Sequence, residues 1–121
     1  MLPLPAMAKS TITIDVSLDA GRMPEEISWS ATESSMNDVR KAKAMILSLW
    51  DGEDKSALRI DLWTRKMMVD EMADFFFQTM MSMADTYERA TRQTELVNEM
   101  KQFAQQFYRK FQESQLKENN T

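Results

Sequence analysis

The sequence predicts an α+β fold: a four-stranded antiparallel sheet followed by two C-terminal helices packed on one of its faces. Three observations carry that expectation. Apolar and polar residues alternate through the first half of the chain, apolar residues recur at helical spacing after Thr64, and the two patterns do not interleave. Strands first and helices last, in the order β-β-β-β-α-α, imply helices segregated to one side of an antiparallel sheet.

The elements follow in order. From Ser10 to Asp19, Ile12, Ile14, Val16 and Leu18 alternate with polar residues, the pattern of a half-buried strand. Ala20 to Glu25 holds Gly21 and Pro24 and reads as a turn. Ile27 to Ala31 alternates again around Trp29, giving a second strand and an antiparallel pair with one face buried. Thr32 to Asn37 is polar and loop-like, and Ser34 or Ser35 suits the cap of a short helical turn through Val39 to Ala42. Lys43 to Trp50 is apolar on both faces and reads as a central strand. Asp51-Gly52 signals a hairpin turn through Lys55. Ala57 to Trp63 is the fourth strand, with Leu58, Ile60 and Leu62 on one face and Arg59, Asp61 and Trp63 on the other.

The first helix spans Val69 to Ala90. Its apolar stripe is Val69, Met72, Ala73, Phe76, Met80, Met83 and Tyr87, and Asp70 and Glu71 suit the positive end of its dipole. A break follows at Thr91 to Thr94, either threonine being a suitable cap. The second helix runs from Glu95 to Ser114. Leu96, Met100, Phe103, Phe107 and Phe111 form its apolar stripe, and Lys101, Gln105, Arg109 and Gln112 its wet face.

The 121 residues fit one domain, here expected over residues 10–116, with a disordered tail at 1–9 and a frayed one at 117–121. Met1 to Met7 lacks a basic segment and is broken by Pro3 and Pro5. It reads as a tail, or as an upstream start before Met7, rather than a signal peptide. With no cysteine and no membrane-length apolar run, the expected location is the cytoplasm. The net charge is −4 and basic residues are interleaved with acids, as in Asp38-Val39-Arg40-Lys41, so nucleic acid is not an expected partner.

Chemistry is constrained by what is missing. Without histidine or cysteine, Ser-His and thiol catalysis cannot be built within one chain. Two isolated glycines, Gly21 and Gly52, cannot make a phosphate-cradling loop. The twelve methionines invite a soft-metal reading, but Met72, Met80, Met83 and Met100 fall on core stripes, where methionine fills space. The acidic turn Asp51 to Asp54 lacks calcium-loop spacing. Carboxylate pairs such as Asp15 and Asp19, or Glu25 and Glu26, fall in exposed positions. The expectation is a non-enzymatic protein with no cofactor and no metal.

What remains is surplus apolar surface. Phe75 falls on the polar side of the first helix, among Glu71, Ser82 and Arg89, while Phe77 and Met81 widen the stripe on its other flank. The second helix can cover one shoulder but hardly both. On the sheet, the far face carries Trp63, with Ile46 and Trp50, which a loop or the N-terminal tail would otherwise have to cover. Trp50, Trp63, Phe75, Phe77 and Met81 are therefore candidate partner-interface residues, and a homo-oligomer, dimer or tetramer, is expected.

Several runs also resemble a known family. Ile46-Leu47-Ser48-Leu49-Trp50-Asp51, Leu58-Arg59-Ile60-Asp61-Leu62-Trp63-Thr64 and Val69-Asp70-Glu71-Met72 are similar to the gliding-motility GldC family of Bacteroidetes-type bacteria. So are Phe76-Phe77-Gln78-Thr79, Ser82 to Thr91 and the strand Ser10 to Ile14, so that the likeness spans about Met7 to Gln112. The family usually carries a proline where Met68 stands. The resemblance implies a small cytoplasmic accessory protein of the gliding and secretion apparatus, acting through protein contacts, with no catalytic residues to carry over. At the level of topology alone, the element order is also similar to SecB-type export chaperones, which assemble as dimers of dimers and bind unfolded chains.

Overall fold

Antiparallel pairing begins where alternation is cleanest. The computed structural model describes residues 8–32 and 39–119. Strand β1 (Ile12–Leu18) pairs with β2 (Pro24–Ala31), Ile14 lying opposite Trp29 and Val16 opposite Ile27. The turn between them is tightened by one carboxylate. Asp19 Oδ1 accepts hydrogen bonds from the backbone N–H groups of Gly21 (2.8 Å) and Met23 (3.0 Å), and its other oxygen lies 3.1 Å from Arg65. The Met23 and Gly21 bonds, with Arg65, hold the Asp19 carboxyl below the usual carboxylate range. The turn is thus shorter than expected, and Pro24 becomes the first residue of a strand, a position that needs no donor.

The single four-stranded sheet is not what forms. Among the described residues, five strands make two sheets, of three and two. The helical turn expected through Val39 to Ala42 is instead strand β3 (Arg40–Ala42), which pairs with β2; Ser34 and Ser35 lie outside the described residues. The expected central strand starts one residue later, as β4 (Ala44–Asp51), and pairs only with β5 (Ser56–Trp63). Between β3 and β4 the chain bends at Lys43. The Lys43 carbonyl accepts from both the backbone N–H (2.8 Å) and the hydroxyl (3.0 Å) of Thr64. Thr64 is buried, and its two donors hold the bend where one ladder ends and the next begins.

The β4–β5 hairpin turn forms where Asp51-Gly52 signals it. Asp51 Oδ1 accepts from the N–H groups of Glu53 (2.9 Å) and Asp54 (3.3 Å), closing a four-residue loop. The left-handed residue is Lys55 (φ 52°), not Gly52.

The chain divides into two compact units, Met1–Met67 with the strands and Met68–Thr121 with the helices. In the second unit, helix α1 spans Val69–Thr91 and α2 spans Thr94–Asn119. The Glu71 carboxylate accepts from the Met68 N–H (3.1 Å) and so closes the first turn of α1. Helix α1 ends on Arg92 in the left-handed region (φ 57°), whose N–H donates to the Glu88 carbonyl. The Val97 N–H donates to the Gln93 carbonyl (3.1 Å), so Gln93 holds the cap position of α2 rather than Thr91 or Thr94. Helix α2 continues through Lys117 to Asn119, five residues past the expected end. The expected tail at 1–9 lies mostly outside the described residues.

Candidate functional site

The helices run antiparallel and meet along a narrow seam. Its fully buried residues are small: Ala73 and Ala84 from α1, Val97 and Ala104 from α2. Small side chains let two helices approach closely, and the approach is fixed by pairs along its length. Asp85 bonds Lys101 (2.9 Å), the Phe77 and Tyr108 rings lie 5.0 Å apart, and the Thr94 hydroxyl donates to Glu88 (3.4 Å). Near the far end, Tyr108 donates its hydroxyl hydrogen to Asp74. That bond, with partial desolvation, pushes the phenol above its usual pKa.

This seam is not the stripe that the sequence suggests for α2. Val97, Lys101, Ala104 and Tyr108 follow one line of the helix, and Leu96, Met100, Phe103 and Phe107 follow the adjacent line, about 100° away. Lys101, expected on the wet face, is half-buried and ion-paired across the seam; Gln105, Arg109 and Gln112 are exposed as expected. The large residues are what the seam leaves uncovered. Phe103 is 62% exposed, Met83 55%, Leu96 45% and Phe76 42%. Met80, Met83, Leu96, Met100 and Phe103 line one open groove along the hairpin, with Tyr87 and Glu99 at its margin.

The candidate interface residues fall into three settings. Phe77 packs on Tyr108 within the hairpin, and Met81, on the same flank, is half-buried. Phe75 lies on the opposite shoulder, half-buried and edge-to-face with Phe76 at 6.2 Å, beside a shallow depression lined by Thr79, Ser82 and Thr86. Trp50 and Trp63 are 69% and 60% exposed. The register places both on one face of the β4–β5 ladder, Trp63 opposite Ala44 and Trp50 opposite Ala57. They stand at opposite ends, roughly 20 Å apart at about 3.3 Å per residue, with Ile46, Asp61, Ser48 and Arg59 between them.

The other face of that ladder is apolar throughout. Met45, Leu47 and Leu49 lie opposite Leu62, Ile60 and Leu58, and Leu49, Leu58 and Ile60 are each more than half exposed. The sequence shows these residues as an ordinary core face, whereas several of them are exposed. A two-stranded ladder is marginal alone, so such a face calls for something to pack on it.

Among the described residues, no three acidic side chains cluster as metal ligands would, and no helix is long and apolar enough to cross a membrane. The surface that stands out is apolar. Among the described residues, exposed hydrophobic side chains lie on both the β4–β5 ladder and the helical hairpin. The chain belongs to the gliding motility-associated protein GldC-like family, whose model matches residues 24–113, most of its length. Neither a curated protein nor a solved structure matches the chain.

Proposed function

We propose that this chain is a non-enzymatic accessory protein of the gliding-motility machinery, acting in the cytoplasm through protein–protein contacts and self-association. The observation that carries the reading is the apolar face of the α1–α2 hairpin, where Phe76, Met83, Leu96 and Phe103 are each more than two-fifths exposed. Large exposed apolar patches mark contact sites far more than they mark catalysis. The family membership supports the setting, and the lack of histidine and cysteine supports the non-catalytic role. Affinity capture from the native cell tests the setting: co-purification with gliding-motility components is expected, and recovery of none of them would overturn it. Light scattering across a concentration series tests self-association, and a strict monomer at high concentration would remove it.

A second reading is a chaperone-like binder of unfolded or exported chains, as in SecB-type proteins. The exposed apolar face of β4–β5 favours it, because apolar side chains on a strand ladder suit an extended peptide. Suppression of aggregation of a denatured substrate is the test, and no suppression at molar excess would dismiss it.

A further inference from the structure

The open face of the helical hairpin has the size of a subunit interface. At roughly 150–250 Å² per large side chain, the exposed parts of Phe76, Met83, Leu96 and Phe103, with the half-buried Met80, Met100 and Phe107, leave on the order of 500 Å² of apolar surface. A standard interface takes about 800 Å² from each partner, of which about three-fifths is apolar. The patch therefore supplies the apolar core of one such interface.

Its pattern is self-complementary. On the margin of this face Glu99 lies in the N-terminal half of α2 and Lys110 in its C-terminal half, with Glu113, Lys117 and Glu118 following toward the end of the helix. Two copies of α2 laid antiparallel set these opposite charges against each other, whereas a parallel arrangement would oppose like charges. A two-fold axis at the level of Gln105 stacks Phe103 on Phe107 of the second copy. It also brings Glu99, on the margin of the same face, beside Lys110 of that copy. Helix α1 obeys the same axis. The pairs Asp85–Lys101 and Phe77–Tyr108 put Gln105 level with residues 80–81 of α1. Within one residue, or about 1.5 Å of helix rise, that level sets Met80 against Met80 of the second copy and Phe76 against its Met83. Two stripes on two helices, related only by the hairpin's own register, share one symmetry axis.

We infer that the partner on this face is a second copy of the chain, seated antiparallel across α2 so that the two hairpins form a two-fold four-helix bundle centred on Phe103, Phe107 and Met80. This rests on the self-association part of the proposed function and names its surface. Polar margins remain on both sides of the core, with Glu99 and Lys110 at one and Thr79 and Ser82 at the other; Phe75 falls outside the contact.

The test uses the full chain, which has no cysteine of its own. The double variant Glu99→Cys/Lys110→Cys should give a covalent dimer on mild oxidation. Phe103→Glu should raise the dimer dissociation constant about thirtyfold or more, with helicity unchanged. Because Phe103→Glu could fail for other reasons, a charge exchange complements it. Glu99→Lys or Lys110→Glu alone should weaken the dimer about tenfold, since each spoils two symmetry-related pairs, and together they should restore it. A wild-type dimer that neither cross-links through these cysteines nor responds to Phe103→Glu would overturn the inference while leaving self-association intact. A monomeric wild type would overturn both.

Discussion

The hairpin has two apolar surfaces built on opposite plans. The seam between α1 and α2 is sealed with Ala73, Ala84, Val97 and Ala104, while the face beside it carries Phe76, Met83 and Phe103. A monomeric two-helix unit would gain most by turning its largest side chains inward, at about 25 cal/mol per Å² of apolar area. Here, apart from the Phe77–Tyr108 pair, the residues inside are small, and Phe76, Met83 and Phe103 lie outside. Apolar surface sealed within the hairpin and apolar surface left exposed lie on different lines of the same helices. The first demands close approach, so it is intolerant of volume. The second is open, so it is tolerant of volume within one copy and sensitive only in an assembly.

Several substitutions would break or sharpen this contrast. The largest effect is expected from Ala84→Leu, which forces about three extra carbons into a seam where Ala84 is fully buried; about 3 kcal/mol of stability should be lost in denaturant melts. Ser82→Leu, which places the same leucine at an exposed position of the same helix, should change stability by less than about 0.5 kcal/mol. Equal losses at the two sites would erase the distinction. A gain is expected from Arg92→Gly. The left-handed conformation that joins the helices is unfavourable for arginine and free for glycine, so thermal melts should show about 0.5–1 kcal/mol of stabilisation. Asp85→Asn should be smaller still, at most about 0.5 kcal/mol, because the pair with Lys101 is partly solvated.

The last effect is a dependence on pH. Tyr108 holds its proton more tightly folded than unfolded, because its hydroxyl donates to Asp74. Its contribution is therefore complete below the ordinary phenol pKa and is lost as pH climbs through the raised folded value. Ultraviolet titration should show the Tyr108 midpoint falling toward the ordinary value in Asp74→Asn. An unmoved midpoint would show that Asp74 does not set it.

Much of this architecture is legible in residue periodicity, and the failures have specific causes. The two helices and the strands around Val16, Trp29 and Ile60 follow from spacing alone, since apolar spacing distinguishes a half-buried strand from a helix. The break between the sheets does not. It depends on Thr64 reaching back 21 residues to the Lys43 carbonyl, a contact that no local pattern announces. The hairpin turn after Asp51 is legible from Asp-Gly, but the Asp51 carboxylate bonds that organise it and the left-handed Lys55 are not.

The interface residues divide along the same line. Trp50 and Trp63 share a ladder face, as strand parity requires, but only the register shows them at opposite ends of it. Phe77 is apolar and off the main stripe, which reads as surplus until Tyr108 is found against it. The α2 stripe of Leu96, Met100, Phe103 and Phe107 is correctly apolar in sequence. Periodicity identifies an apolar line but not which neighbour covers it, and α1 takes the adjacent line instead.

The most direct test is the mass of the full chain in solution, by sedimentation equilibrium, beside that of Phe103→Glu. The account predicts twice the 14.1 kDa chain mass for the wild type and a folded single chain for the variant. Identical masses for the two proteins would contradict it.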